Sequence, residues 1–283
     1  MKCIPLGVIA AVGSLGSLAA PMACADEQFF GFARGSETLP QGHAEIYQSS
    51  TLRTGKDGGT YYGSDYETEV EYGFTDRFQA SLSLLNHYFY NKDVDDLPDR
   101  SSYRFGGVEA SGKYRFLSPF KDWLGLALRL EGGYLLNDEV GGLKQHERYL
   151  KPEIDFQKDF LDDTLATVFS LGVEWAWGKQ PAEEYPREFS FESAGGITYR
   201  FAPNWYAGLE AHFRAEYPLF DLGFFEHSSV YAGPSLHYAQ KRWWATLTWN
   251  YQVYGKGIDE PDTGQTFAEE SRNAWRLKVG FNF

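Results

Sequence analysis

Asn273-Ala274-Trp275-Arg276-Leu277-Lys278-Val279-Gly280-Phe281-Asn282-Phe283 closes the chain, and its residues alternate in character to the end. In an extended strand Trp275, Leu277, Val279, Phe281 and Phe283 share one face, while Arg276, Lys278 and Asn282 share the other. A period of two with one apolar face requires a sheet whose one side is kept from water. Both a soluble sandwich and a strand crossing lipid meet that requirement, so the connections between such strands decide the case.

Working back from this segment, alternating stretches occur at 43–55, 60–75, 78–91, 104–117, 124–137, 148–160, 164–178, 188–201, 205–217, 229–240 and 243–255, about twelve in all with 273–283. The joins differ in kind. Thr75-Asp76-Arg77, Ser118 to Trp123, Leu161-Asp162-Asp163, Ala202-Pro203-Asn204 and Gln240-Lys241-Arg242 are tight and carry turn residues or charge. Lys92 to Tyr103, Asp138 to Glu147, Lys179 to Arg187, Leu219 to Ser228 and Gly257 to Arg272 are long, and among the intervening joins only Lys56-Asp57-Gly58-Gly59 is short. A membrane barrel keeps tight turns on its periplasmic side and longer loops outside, a segregation that a soluble all-β protein has no reason to keep. The expected fold is therefore all-β: a transmembrane antiparallel up-and-down β-barrel of about 12 strands over residues 43–283.

The composition agrees. Past the first 25 residues there is no run of 18 apolar residues, which excludes a bundle of membrane helices. Aromatic residues make up 17% of the chain, matching the rings that girdle barrels at both interfaces. Residues 1–25 read as a secretory signal peptide: Lys2, an apolar stretch from Ile4 to Ala20, and a small-residue cleavage site at Ala23-Cys24-Ala25. Pro21-Met22-Ala23 before Cys24 lacks the leucine of a lipidation signal. Cys3 and Cys24 both lie in this segment, so the mature chain is expected to have no thiol chemistry. Residues 26–42, with Phe29-Phe30-Gly31-Phe32, have no period and are expected to form a periplasmic lead-in.

The formal charge is −13, and it becomes −14 without Lys2, which argues against nucleic acid as a partner. Much of this charge falls on inward faces. Strand 60–75 places Asp65, Glu67, Glu69 and Glu71 on one side, opposite Tyr66, Thr68, Val70 and Tyr72. Four such carboxylates repel unless bases or water answer them. Bases on inward faces are Arg53, Lys113, Arg115, Arg129, Lys151, Arg200, Arg214, Arg276 and Lys278. Further inward acids are Glu45, Glu109, Glu131, Glu153, Asp155, Glu174, Glu192, Glu210 and Glu216. The arrangement fits a net acidic lumen for small cationic or zwitterionic solutes, and equally a salt-bridged interior with no continuous pore, because twelve strands fall between filled and open barrels.

A hydrolytic reading rests on His227 and Ser229, two residues apart on one side of the chain, with Glu226 beside them to orient the imidazole. Against it, Val230 stands where outer-membrane phospholipases carry an asparagine, and the face shared with Tyr231, Gly233 and Ser235 looks inward, as do Ser235 and His237. His43, His87, His146 and His212 show no metal-ligand spacing, and no cofactor is expected. Asp93, Asp95, Asp96, Asp99, Asp259, Glu260 and Asp262 form acidic loops of the kind that lie beside divalent-bridged lipopolysaccharide.

Gly31 to Pro40, Glu69 to Phe78 and Lys241 to Trp249 together resemble an uncharacterised family of Gram-negative outer-membrane β-barrel proteins, porin- or transporter-like, across nearly the whole mature chain. The resemblance implies location and fold, outer-membrane lipid as surroundings, and recognition of a C-terminal signal containing Phe281 and Phe283 by the barrel-assembly machinery. Gly280 departs from that signal, lying closer to the end than its glycine usually does.

Overall fold

The computed structural model describes residues 28–95, 97–138, 140–178, 187–258, 264–267 and 270–283. The signal segment with Cys3 and Cys24, and the acidic residues Asp96, Asp259, Glu260 and Asp262, lie outside these residues.

Among the described residues twelve strands form: β1 (Ala44–Thr54), β2 (Gly58–Thr75), β3 (Phe78–Val94), β4 (Arg100–Leu117), β5 (Gly125–Asn137), β6 (Lys144–Phe160), β7 (Leu165–Trp177), β8 (Arg187–Ala202), β9 (Trp205–Pro218), β10 (His227–Ala239), β11 (Trp243–Gly257) and β12 (Asn273–Asn282). Each pairs antiparallel with its chain neighbour, and β1 pairs with β12 from Thr54↔Asn273 to Glu45↔Asn282, so the sheet closes into a barrel without an edge. One end carries the tight turns and both barrel termini; the other carries the longer loops. Asn204 bends the β8–β9 turn at φ 67°, a left-handed conformation that asparagine tolerates better than most residues.

The alternation sorts as the sequence requires. Val70, Leu82, Leu130, Leu209, Leu247 and Leu277 lie exposed on the outer face at mid-strand. Phe74, Phe78, Phe116, Trp205, Phe281 and Phe283 ring the turn end, and Tyr62, Tyr103, Trp177, Trp249 and Trp275 lie toward the loop end. This is an apolar belt between two aromatic girdles. The interior is polar: Thr246, Thr248, Asn250 and Gln252, the inward face of β11, are 0% exposed.

Two expectations are corrected. β4 begins at Arg100 and β6 at Lys144, and β3 runs to Val94, so the second and third outer joins are shorter than the sequence indicates. The ladder continues through Asn91↔Arg100 and Asn137↔Lys144, because backbone pairing persists above the apolar belt after the side-chain alternation has faded. Residues 28–42 are not a lead-in outside the barrel. They enter the interior at the turn end, rise, and return to Pro40, where Gly42 N–H donates to Gly73 O at 2.8 Å before β1 begins.

Candidate functional site

The inserted segment is held by side chains from most of the barrel wall. Both oxygens of Glu210 on β9 accept backbone N–H groups, Oε1 from Gly31 at 3.2 Å and Oε2 from Phe32 at 3.0 Å and Ala33 at 3.1 Å. Successive amides converging on one carboxylate form an anion-binding nest, here filled by the wall. Arg276 on β12 lies over the Phe32 ring at 3.9 Å and donates to Gly31 O at 3.1 Å. Lys278 reaches Gln28, and Phe32 stacks on His212 with ring centres 4.5 Å apart. Phe30 is fully buried against β8, where a Cβ on Gly196 would fall on its ring. On the returning limb Gly35 O accepts from Lys113 at 2.5 Å, Ser36 N donates to Gln157 at 3.0 Å, Glu37 pairs with Arg115, and Leu39 N donates to Gln79 at 2.6 Å.

Near the top of this insert Arg34 points its guanidinium toward Glu153, Nε to Oε1 at 3.8 Å. Burial works against the Arg34 charge, but Glu153, Glu131 and Glu69 around it more than offset burial and hold the group well above its usual value. The insert thus delivers a cation into the acidic wall that the sequence exposes on β2, β5 and β6.

The carboxylates of β2 find separate partners. Asp65 takes Arg53 at 2.8 Å and His87 at 2.9 Å; Glu67 accepts from Ser83 at 2.9 Å; Glu69 accepts from Tyr47; and Glu71 accepts from Gln79 at 3.2 Å. Neutral hydroxyls and an amide donate to three of the four, and the Arg34 charge acts on Glu69 as well. Arg129 pairs with Glu131 and Lys151 with Glu192. Arg200 occupies an inward position of β8 two residues before its end, at the turn end of the barrel.

Toward the loop end the balance turns acidic. Arg214 contacts Glu216 and lies 3.6 Å from Glu188, 3.9 Å from Glu174 and 4.0 Å from Glu192. Its side chain is 34% exposed and that of Glu188 33%, inside the barrel, so water reaches this group from the loop side. Described residues of the β11–β12 connection enter the same space: Thr266 exchanges hydrogen bonds with the Gln252 side chain at 2.8 and 3.0 Å, and Glu270 lies beside β10.

The hydrolytic candidates lie here. Ser229 donates to Glu270 Oε1 at 3.2 Å, and His227 Nε2 faces Glu216 Oε2 and Glu270 Oε1, each at 3.7 Å. Glu226 continues the β9–β10 ladder, its N–H bonded to Glu216 O at 3.0 Å. The structure brings His227, Ser229 and Glu226 together on the inner wall, with the serine hydroxyl directed at a carboxylate; Ser235 and His237 lie deeper and buried. Burial would push the Glu270 carboxyl up, but the nearby His227, with Arg214 and Lys56 behind, holds it at about 2. Sequence reading missed Glu270, Glu188, Arg34 and Glu37. The signal that announces the insert is Phe29-Phe30-Gly31-Phe32, too apolar for a segment left in water.

Comparison with known proteins adds three findings. The model of a family described as "Family of unknown function (DUF6662)" matches residues 22–283. No curated protein matches the sequence. Among solved structures, the COG4313 outer membrane channel from Pseudomonas putida F1 is similar at a TM-score of 0.61 with 11% identity, covering 88% of this chain and 98% of that one. The NanC porin is similar at 0.51 with 11% identity, covering 83% of this chain and 98% of that one. At such identities the likeness establishes the fold, that of outer-membrane barrels.

Proposed function

We propose that this chain, which belongs to the DUF6662 family of unknown function, is an outer-membrane channel of a Gram-negative cell that passes small cationic or zwitterionic solutes. On this reading the turn end faces the periplasm, the apolar belt lies in outer-membrane lipid, the loops meet lipopolysaccharide, and the strand ending at Phe281 and Phe283 is read by the assembly machinery after secretion.

One observation supports the proposal: on the loop side, among the described residues, Glu174, Glu188, Glu192 and Glu216 gather around Arg214 in a water-reached space, with Lys151 answering Glu192 besides, so carboxylates outnumber the two cations. A barrel interior serving stability alone is better served by matched or apolar side chains, because each uncompensated buried charge costs several kcal/mol, about 3–5 where a pair is broken. An acidic vestibule concentrates cations and repels anions, and its low-dielectric wall strengthens that field. The similarity of the fold to a channel and a porin supports the same reading.

The alternative, a closed envelope barrel, is favoured by the insert of residues 28–42, which occupies the turn-end half. Bilayer recording from folded barrels under a salt gradient separates the two. Stepwise openings with a cation-selective reversal potential are expected. Silence from folded protein, or anion selectivity, overturns the proposal.

A further inference from the structure

Glu216, Glu226 and His227 meet where β9 and β10 reach the loop end, and their ligand-type atoms all lie within 4.8 Å of one another. His227 is 5% exposed and directs Nε2 between Glu216 Oε2 and Glu270 Oε1, at 3.7 Å from each. These separations exceed hydrogen-bond length. They approach the spacing of two donor atoms on one small cation: bonds of about 2.0–2.2 Å in a tetrahedral site place ligands roughly 3.4 Å apart.

The surroundings orient the same atoms. Arg214 holds Glu216 through Oε1, which leaves Oε2 for the cluster. Ser229 donates at 3.2 Å to Glu270 Oε1, the same oxygen that faces His227, and so fixes the direction of that carboxylate. The backbone is fixed as well: His227 is paired with Glu216 across the ladder, Glu226 N–H bonds Glu216 O at 3.0 Å, and Ile258 N–H bonds Glu226 O at 2.9 Å. Glu216, Glu226 and His227 are thus fixed by backbone pairing at the loop end, and Glu270 approaches them from the β11–β12 connection.

The geometry points to a divalent transition-metal site formed by His227, Glu216 and Glu226, with Glu270 as a fourth ligand drawn in from the β11–β12 loop. One imidazole with carboxylates suits zinc and its neighbours, whereas calcium and magnesium prefer all-oxygen sites. A bound ion would neutralise clustered carboxylates and pin the loop to the wall. Ser229 and His227 then serve ion binding, and the serine is a hydrogen-bond donor to a ligand, not a nucleophile.

The test is calorimetric titration of ZnCl2 into the folded, chelator-stripped, full-length barrel in detergent micelles, beside His227→Ala and Glu216→Gln. One equivalent per barrel is expected, with affinity falling at least tenfold in each variant. Slower migration on unboiled gels identifies any variant that has not folded. Cobalt loaded into the unaltered protein supplies the second measurement: visible ligand-field bands of four- or five-coordinate intensity are expected. Absence of saturable zinc binding, equal affinity in folded variants, calcium binding as tightly as zinc, or a six-coordinate cobalt spectrum would each overturn the site. The readout needs no conduction, so a barrel that binds zinc yet stays silent in a bilayer keeps this site and loses the channel reading.

Discussion

Glu210→Ala should loosen the insert without opening the barrel. Glu210 accepts from Gly31, Phe32 and Ala33 at 3.0 to 3.2 Å, and its carboxylate contributes no bond to the β-ladder itself. Charge-assisted hydrogen bonds contribute roughly 1.5–3 kcal/mol each, and water entering the cavity recovers part of what three such bonds supply. A loss of about 3 kcal/mol in seating free energy is therefore expected, which shifts the seated-to-released ratio about 100-fold. Glu210→Gln, with one acceptor oxygen left, should fall near tenfold, or about 1.4 kcal/mol. Hydrogen exchange of a peptide spanning the Gly31 to Ala33 amides reads this directly, because exchange through local opening scales with the open population. Unchanged exchange there in a folded Glu210→Ala barrel would refute the account of how the segment is held. Faster exchange throughout the strands would show instead that Glu210 supports the barrel.

Four further outcomes are expected. Removing residues 28–41 should raise single-channel conductance severalfold; an unchanged conductance would show that the insert does not limit flow. Gly196→Val should displace Phe30 and cost about 1–3 kcal/mol as an overpacking change, seen as a lower heat-conversion temperature on gels. Glu270, held at about 2 against an ordinary 4.5, stabilises the inward loop fully above about pH 4.5, and that contribution is lost as pH falls toward 2. Protection at residues 264–267, taken relative to the intrinsic exchange rate at each pH, should thus fall between these values while that of the strands is kept. Glu188→Gln should reduce cation selectivity and Arg214→Gln should raise it, both read as reversal potentials; equal potentials in all three proteins would separate this cluster from the ion path.

The strands were legible because one rule, alternation of side chains, governs each of them and the apolar side must meet lipid. Leu128 and Leu130 against Arg129 and Glu131 show it plainly, with the first pair outside and the second within. The insert was not legible by that rule, since residues 28–42 have no period and draw their hydrogen bonds from side chains as far away as Glu210 and Gln157. Composition did hold a clue in the Phe29 to Phe32 run, which needs a buried destination. Glu270 escaped for a related reason. It belongs to a join between strands, and parity fixes no direction for a residue outside the ladder. Gly280, a departure from the expected C-terminal pattern, has a local cause: a Cβ there would fall on the Trp244 ring, whose Nε1 donates to Glu45 at 2.9 Å.

Arg276 joins three parts of the chain with one side chain: it stands on β12, donates to Thr51 on β1 at 2.7 Å, and donates to Gly31 of the insert. Trp244 on β11 reaches Glu45 on β1 in the same region, and Lys278 on β12 lies 5.0 Å from the centre of the Tyr47 ring. The junction between the first and last strands is the place where a newly made cylinder must zip shut and where an old one would first split sideways. Here it is cross-braced from within by residues far apart along the chain, 225 positions in the bond between Arg276 and Thr51. A lipid-facing cleft at this junction would have to break those braces along with the β1–β12 ladder, so the wall is held shut sideways by more than its backbone pairing.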